Sequence, residues 1–312
     1  MYYHSLNEDL RRRFGCKVYK LALSAGCTCP NRDGTTGSGG CTFCTGSGEF
    51  AASSLAFIPE QLEQARLILG KKGQNARYIA YFQENTNTYG NPARLEPLFR
   101  AAMEPEDVAA LSIATRPDCL GPEILAMLAQ LRQIKPVWVE LGLQAIHEQT
   151  AQRIRRGYAL PVYDEAVRNL RAIGIEVVVH LILGLPGETA EDMVQSAYYT
   201  GQSGIQGVKL HLLHVLRGTP LAEDYLAGQV PVLALDDYIT ILERCLAVLP
   251  PEIVIHRLTG DGAKRDLLAP FWSADKKRVL NTIHRRFAAD GLEQGSALRE
   301  KEEHGSHHTQ TA

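Results

Sequence analysis

The chain of 312 residues is long enough to bury a full hydrophobic core, as one large α/β domain or as two smaller ones. With 45% hydrophobic residues, 22% charged residues and a formal net charge of −2, it falls in the soluble globular class. That balance excludes a uniformly basic nucleic-acid binder and leaves only a local basic patch open.

At the N-terminus, residues 1–16 form a short segment with no basic stretch followed by an apolar one. No apolar run approaches a membrane span, so the expected location is the cytoplasm, away from the membrane. From residue 17 onward, short β-like runs alternate with amphipathic helical patterns, the sequence form of repeated βα units and a parallel sheet. Strands are expected at 17–24, 78–82, 109–115, 137–144, 176–183 and 208–215, with a seventh run at 253–256. Helices are expected at 59–69, 92–102, 122–131, 163–172, 190–200 and 236–249, several of them opening on Pro near the first turn. The expected fold is α/β: a partial (β/α)6 TIM-like barrel over 17–216 and a C-terminal α/β extension over 217–290. Beyond it, residues 291–312 read as a disordered tail.

Polar residues fall on one face of several strands. Alternation in 137–144 sends Val137, Val139, Leu141 and Leu143 to one side and Glu140, Gly142 and Gln144 to the other. The same split sets His180 opposite Val179 and Leu181, and Lys209 and His211 opposite Val208, Leu210 and Leu212. One face meets helices; the other faces a polar lumen. An inward Lys209 needs a charged partner such as Glu140. In such barrels catalytic groups gather at the C-terminal strand ends, and the distinctive segments here follow those ends.

Four of the seven cysteines crowd into a Gly-rich loop, at Cys27, Cys29, Cys41 and Cys44, which in a reducing compartment points to metal. All four thiolates together would complete a zinc site, but Cys27 and Cys29 point to opposite faces of an extended chain. Three thiolates would instead leave one iron of an iron–sulfur cluster open to a small molecule. Cys16, Cys119 and Cys245 are dispersed and lack ligand spacing.

The run Cys29-Pro30-Asn31-Arg32-Asp33-Gly34, followed by Gly39-Gly40-Cys41-Thr42-Phe43-Cys44, resembles an uncharacterised bacterial family of radical S-adenosylmethionine (SAM) proteins. That family is related to the radical SAM domain of the Elongator catalytic subunit. The similarity continues through Tyr81-Phe82-Gln83, Asn85-Thr86-Asn87-Thr88-Tyr89, Thr115-Arg116-Pro117-Asp118, Glu140–Gln144 and Arg155-Arg156-Gly157. It implies a barrel of the radical SAM type and a 4Fe–4S cluster on Cys29, Cys41 and Cys44, with Cys27 an extra residue. It further implies cleavage of SAM to a 5′-deoxyadenosyl radical.

Under that resemblance, Gln83 and Asn85 would meet the methionine amino group, and Thr115 and Arg116 the carboxylate or ribose side. Glu140 and Gln144 would bond the ribose hydroxyls or the amino group, and Gly184 and Leu185 would form an adenine shelf; the alternatives are an Arg116 that caps a neighbouring helix and an ordinary βα turn at 184–187. His211 and His214 are candidates for proton transfer, against the alternative of satisfied core histidines. The implied partners are an electron donor such as flavodoxin or ferredoxin and, because the Elongator family acts on wobble uridines, a transfer RNA. Between 256 and 287, eight basic residues face three acidic ones, a local charge of +5, with Phe271 and Trp272 either as stacking surfaces on a phosphate footprint or docking a solvated helix face onto the barrel. Two alternatives stay open: radical chemistry on a small metabolite or a protein, and a zinc-stabilised nucleic-acid-binding module without catalysis.

Overall fold

The computed structural model describes residues 2–46, 56–73, 75–260 and 264–299. Helix α1 (Leu6–Phe14) and strand β1 (Val18–Leu23) open the chain, and α2 (Ile58–Leu69) follows the cysteine loop. Next come β2 (Arg77–Phe82), α3 (Pro92–Met103), β3 (Val108–Thr115), α4 (Pro122–Arg132), β4 (Val137–Gln144) and α5 (Glu148–Arg153). They are followed by α6 (Leu160–Ala172), β5 (Glu176–Leu183), α7 (Ala190–Gln202), β6 (Gly207–Leu212) and β7 (Val215–Leu216). The C-terminal part holds α8 (Pro220–Leu226), α9 (Leu235–Ala247), β8 (Val254–Arg257), β9 (Leu267–Ala269) and α10 (Lys276–Ala289).

Seven strands pair in parallel in the order β1-β2-β3-β4-β5-β6-β8, forming a half-barrel. Their outward residues, among them Leu21, Val139, Leu141, Val179 and Leu210, merge with the inner faces of the helices into the main core. Five helices, α2, α3, α4, α6 and α8, carry Pro in the first turn, where its missing N–H is no loss. Inside the barrel, Val18, Ile79, Ala110 and Trp138 form an apolar floor with Leu10 of α1. Helix α1 thus plugs the N-terminal end of the lumen, and the polar inward residues lie above it.

The structure departs from the sequence reading in three places. The run 208–215 breaks after Leu212, because Val215 and Leu216 leave the barrel to pair antiparallel with β9. The seventh run extends the sheet as expected, as β8, but the extension from 217 is not set apart from the barrel: Leu242 of α9 and Phe287 of α10 join the main cluster. The tail expected to be disordered from 291 keeps its placement through 299. There Gln294 is buried, donating to Pro250 O and Ile253 O and accepting from His4 N. Residues 300–312 lie outside the described residues. Among the described residues, no helix is long and apolar enough to cross a membrane.

Candidate active site

The C-terminal strand ends and the cysteine loop enclose a cavity of about 370 Å³, within the usual range for a small-molecule site. The loop is pinned by its own backbone. Arg32 N donates to Cys29 O at 2.8 Å, Gly40 N to Asn31 O at 2.8 Å and Cys44 N to Cys41 O at 3.0 Å. Thr42 N ties the loop to the end of α5 through Ile154 O at 3.0 Å. Gly40 has φ +86°, and a Cβ there would come within 3.0 Å of the Arg32 side chain that lies across the loop.

Cys29, Cys41 and Cys44 line this cavity. Cys27 does not: it is buried in the main core and accepts a hydrogen bond from the Arg94 guanidinium at 3.2 Å. Burial, and then the charge of Cys44, push the Cys41 thiol up to about 11. Three soft donors that repel one another as thiolates suit a cationic iron–sulfur centre. Among the described residues no three Cys, His, Asp or Glu side chains converge to hold a single metal ion. A four-iron cluster asks for less convergence, since each thiolate meets a different iron.

The remaining expected residues divide sharply by whether their polar atoms are already used. Gln83, Asn85 and Gln144 line the cavity, and their side chains make no hydrogen bond to another described residue. Gln144 sits at φ +71° beside a register shift in β4, and Gly142 leaves room for it: a Cβ there would lie 2.8 Å from Gln144 Nε2. Thr115 and Arg116 also line the cavity and are fixed by protein partners, Arg116 through three of its five N–H groups. Thr88 Oγ1 donates to Cys119 O, so the Thr115 hydroxyl is the donor in the bond between the two threonines. Arg116 forks onto Asp118 at 2.9 and 2.7 Å, donates to Arg156 O at 2.8 Å and lies over the Tyr158 ring.

Glu140 is fully buried and is the hub of the lumen. One carboxylate oxygen takes Lys20 Nζ at 2.7 Å and Ser112 Oγ at 2.8 Å. The other takes Tyr81 Oη at 3.0 Å, His180 Nε2 at 2.8 Å and the Lys209 ammonium. Burial alone would raise its pKa, but Lys20 and Lys209 hold it well below the usual carboxylate range. The structure therefore supplies the partner Lys209 needs, and leaves Glu140 no free lone pair for a ribose. Burial, and then Lys209, bring His180 down to about 4, so its ring is neutral at pH 7 and donates through Nε2. His211, its ring 5.1 Å from that of His180, lines the same cavity and is held far below the ordinary histidine value by burial.

Three expected residues lie away from the cavity lining. His214 packs instead against Gly260, where a Cβ would come within 2.5 Å of its ring. Gly184, at φ +91°, gives its N–H to Met193 Sδ at 3.0 Å, and Leu185 is buried in a second apolar cluster with Ile182, Leu213 and Val215. They do not form a shelf directly. Phe43 lines the cavity and packs against that cluster, so Leu185 backs the wall from behind. Residues the sequence reading did not single out include Lys20, Tyr81 and Ser112, all inward by strand alternation, and Asn31, whose amide lies 3.5 Å from Cys41 Sγ. Arg156 is another: buried, it donates to Leu143 O, Ala145 O and Tyr158 O and so braces the end of β4.

The half-barrel with its cysteine loop is shared with known proteins. Residues 29–197 match the radical SAM superfamily and residues 205–289 its Radical_SAM C-terminal domain. The chain belongs to the radical SAM superfamily and is an enzyme, of a family that uses a 4Fe–4S cluster and SAM. Within it, the chain is 42% identical over 303 residues to YtqA of Bacillus subtilis, covering 96% of this chain and 94% of that protein. It is 38% identical over 294 residues to YhcC of Escherichia coli, covering 93% of each. Its fold is similar to that of the archaeal Methanocaldococcus infernus Elp3 lacking its N-terminus. There the TM-score is 0.68 at 17% identity, over 89% of this chain and 64% of that one. This membership sets aside the non-catalytic zinc module.

Proposed function

We propose that Cys29, Cys41 and Cys44 hold the 4Fe–4S cluster, that SAM lies in the lumen cavity against Gln83, Asn85 and Gln144, and that the substrate is RNA, a transfer RNA. The observation that carries the chemistry is the meeting of three thiols and three unpaired amides in one cavity. When bound, the cluster and SAM supply a 5′-deoxyadenosyl radical for hydrogen abstraction. The residues around them bind, orient and exclude water. Arg116 places a positive charge near Cys29 and Cys41, and its fork with Asp118 keeps it there. Lys20, Lys209, Tyr81 and Ser112 keep Glu140 charged and immobile, and Glu140 in turn fixes the neutral His180 at the cavity wall.

Support for RNA comes from α10. An open groove of about 840 Å³ runs along it, lined by Lys277, Arg278, Asn281, His284 and Arg285 with Tyr2. Phe271, just before the helix, is 73% exposed, a free surface for stacking. The resemblance to the Elongator subunit points the same way. A reductant such as flavodoxin or ferredoxin would supply, in the cytoplasm, the electron that the cluster needs before SAM is cleaved.

The test is anaerobic incubation of the reconstituted enzyme with SAM, a reductant and bulk transfer RNA, followed by mass spectrometry of the nucleosides. A nucleoside whose mass shifts only in the complete reaction is expected. Formation of 5′-deoxyadenosine with every nucleoside unchanged would hand the substrate to a small metabolite or a protein.

A further inference from the structure

A second groove, of about 690 Å³, shares only Tyr158 with the cavity. Its walls are Thr36, Gly37 and Ser38 of the cysteine loop on one side and Glu148, Gln152 and Arg155 on the other. Asn31 also lines it, although the side chain is only 4% exposed. The Asn31 amide donates to Arg155 O at 2.6 Å and to Cys41 Sγ at 3.5 Å. Glycines permit this closeness: a Cβ on Gly37 would come within 2.4 Å of Asn31 Oδ1, and one on Gly157 within 3.0 Å. One side chain thus spans the distance between an open surface groove and a cavity cysteine.

We infer that this groove receives the one-electron carrier protein that reduces the cluster, and that Asn31 is the contact between the two. The inference rests on the reading of Cys41 as a cluster ligand. With SAM and substrate in the cavity, the electron must arrive by another face, and this groove reaches Cys41 through a single amide. The step balances simply: the reduced carrier loses one electron, the oxidised cluster gains it, and no bond is made or broken.

Charge selects the kind of carrier. Arg155 is exposed and has no ion-pair partner among the described residues. The groove's acid, Glu148, has a carboxylate oxygen 3.9 Å from Arg156 Nη2. Glu148 leans toward the buried Arg156, so Arg155 is the groove's charged side chain without an ion-pair partner among the described residues, a contact for a carboxylate of an acidic flavodoxin. Asn31 has a second effect, because an N–H···S bond to a ligating thiolate favours the more negative, reduced cluster and raises its potential.

The experiment compares wild type, the double variant Gln152→Glu with Arg155→Glu, and Asn31→Ala, each reconstituted anaerobically and assayed for iron and sulfide. Cluster reduction is followed by stopped flow with flavodoxin hydroquinone and, separately, by deazaflavin photoreduction. The double variant should keep its cluster and its photoreduction, while its second-order rate with flavodoxin falls roughly tenfold or more and loses salt dependence. Asn31→Ala should show a lower midpoint potential in a titration monitored by electron paramagnetic resonance. Flavodoxin reducing the loaded double variant at the wild-type rate overturns the inference alone. A wild-type chain that binds no 4Fe–4S cluster overturns the ligand reading and the inference with it, and iron analysis tells the two apart.

Discussion

Glu140 has no exposed surface, yet it stays ionised because Lys20 and then Lys209 hold its pKa down; burial pulls the Lys209 pKa down as well, and the Glu140 charge opposes that. Glu140→Gln keeps the shape and leaves those two ammonium groups without their counter-charge. A buried pair broken on one side costs about 3–5 kcal/mol, to be read as a loss of that order in chemical denaturation. The lumen also sets a pH dependence. His180 has a folded pKa of about 4 against an ordinary 6.5, so between these values the unfolded chain binds the proton that the folded one refuses. The His180 share of stability is then full above pH 6.5 and is lost as pH drops toward 4, in the same direction as the shares of His211 and His256, which burial also holds low; Glu140, whose folded pKa is depressed, adds a further loss at still lower pH. Thermal unfolding should show Tm falling from pH 7 to pH 5, and a shallower fall in His180→Gln; equal slopes would remove His180 from the account. Among the cysteines, Ala at 29, 41 or 44 should abolish the cluster, whereas Cys27→Ala, which removes a core sulfur held by Arg94, should retain it. Iron and sulfide analysis decides this, and a cluster lost with Cys27 but kept without Cys29 reverses the assignment. At this scale the sequence shows which side chains face inward, because period-two alternation depends only on neighbours. It does not show which of them are already held: Glu140 looks like a ligand until Lys20, Lys209, Ser112, Tyr81 and His180 are seen to saturate it, and Arg116 has three of its five N–H groups taken by Asp118 and Arg156 O.

Strands and helices are the most legible level, because each βα unit carries its own pattern. Strands β4 and β5 fall where alternation puts them, and Pro marks the start of five helices. What fails is what depends on distant partners. The turn at Gly184 and Leu185 follows a strand like any barrel loop. Whether it lines the cavity depends on β7 leaving the barrel for β9, some fifty residues further along the chain. The break after Leu212 has the same origin. The segment around Gln294 is polar and aperiodic, so nothing local marks it as ordered, yet its amide satisfies two carbonyls in the turn between α9 and β8 and the N–H of His4. Gln294→Ala leaves those buried groups unpaired, at a cost of about 1–3 kcal/mol. It should also loosen the N-terminal segment that docks there. Limited proteolysis should cut residues 2–16 faster in this variant, and an unchanged digestion pattern would mean that Tyr3 stacking on α10 holds the segment without it.

Over the whole molecule the net charge is −2 while residues 256–287 carry +5, and the structure sorts those cations by task. Arg257 lines the cavity, Arg265 pairs with Asp266 and Arg286 with Asp290; of the other five, Lys277, Arg278 and Arg285 line the α10 groove. Asp275 in the same groove caps the helix, accepting from Arg278 N, so its charge is directed at the helix N-terminus. If this groove tracks an RNA backbone, each cation on a phosphate releases bound counterions, and the logarithm of affinity falls by roughly 0.7–0.9 per contact per decade of salt. Reversing Lys277, Arg278 and Arg285 to Glu removes three contacts and should flatten the slope by about 2–3. Phe271→Ala acts through stacking instead, weakening binding by about 1–3 kcal/mol with the slope unchanged. Both variants should keep the cluster and the slow formation of 5′-deoxyadenosine without RNA, because neither touches the cavity. The measurement is binding of bulk transfer RNA over a salt series for wild type and the two variants. A wild-type slope near zero removes RNA as the ligand. A steep slope that survives charge reversal keeps RNA and moves its binding surface off α10.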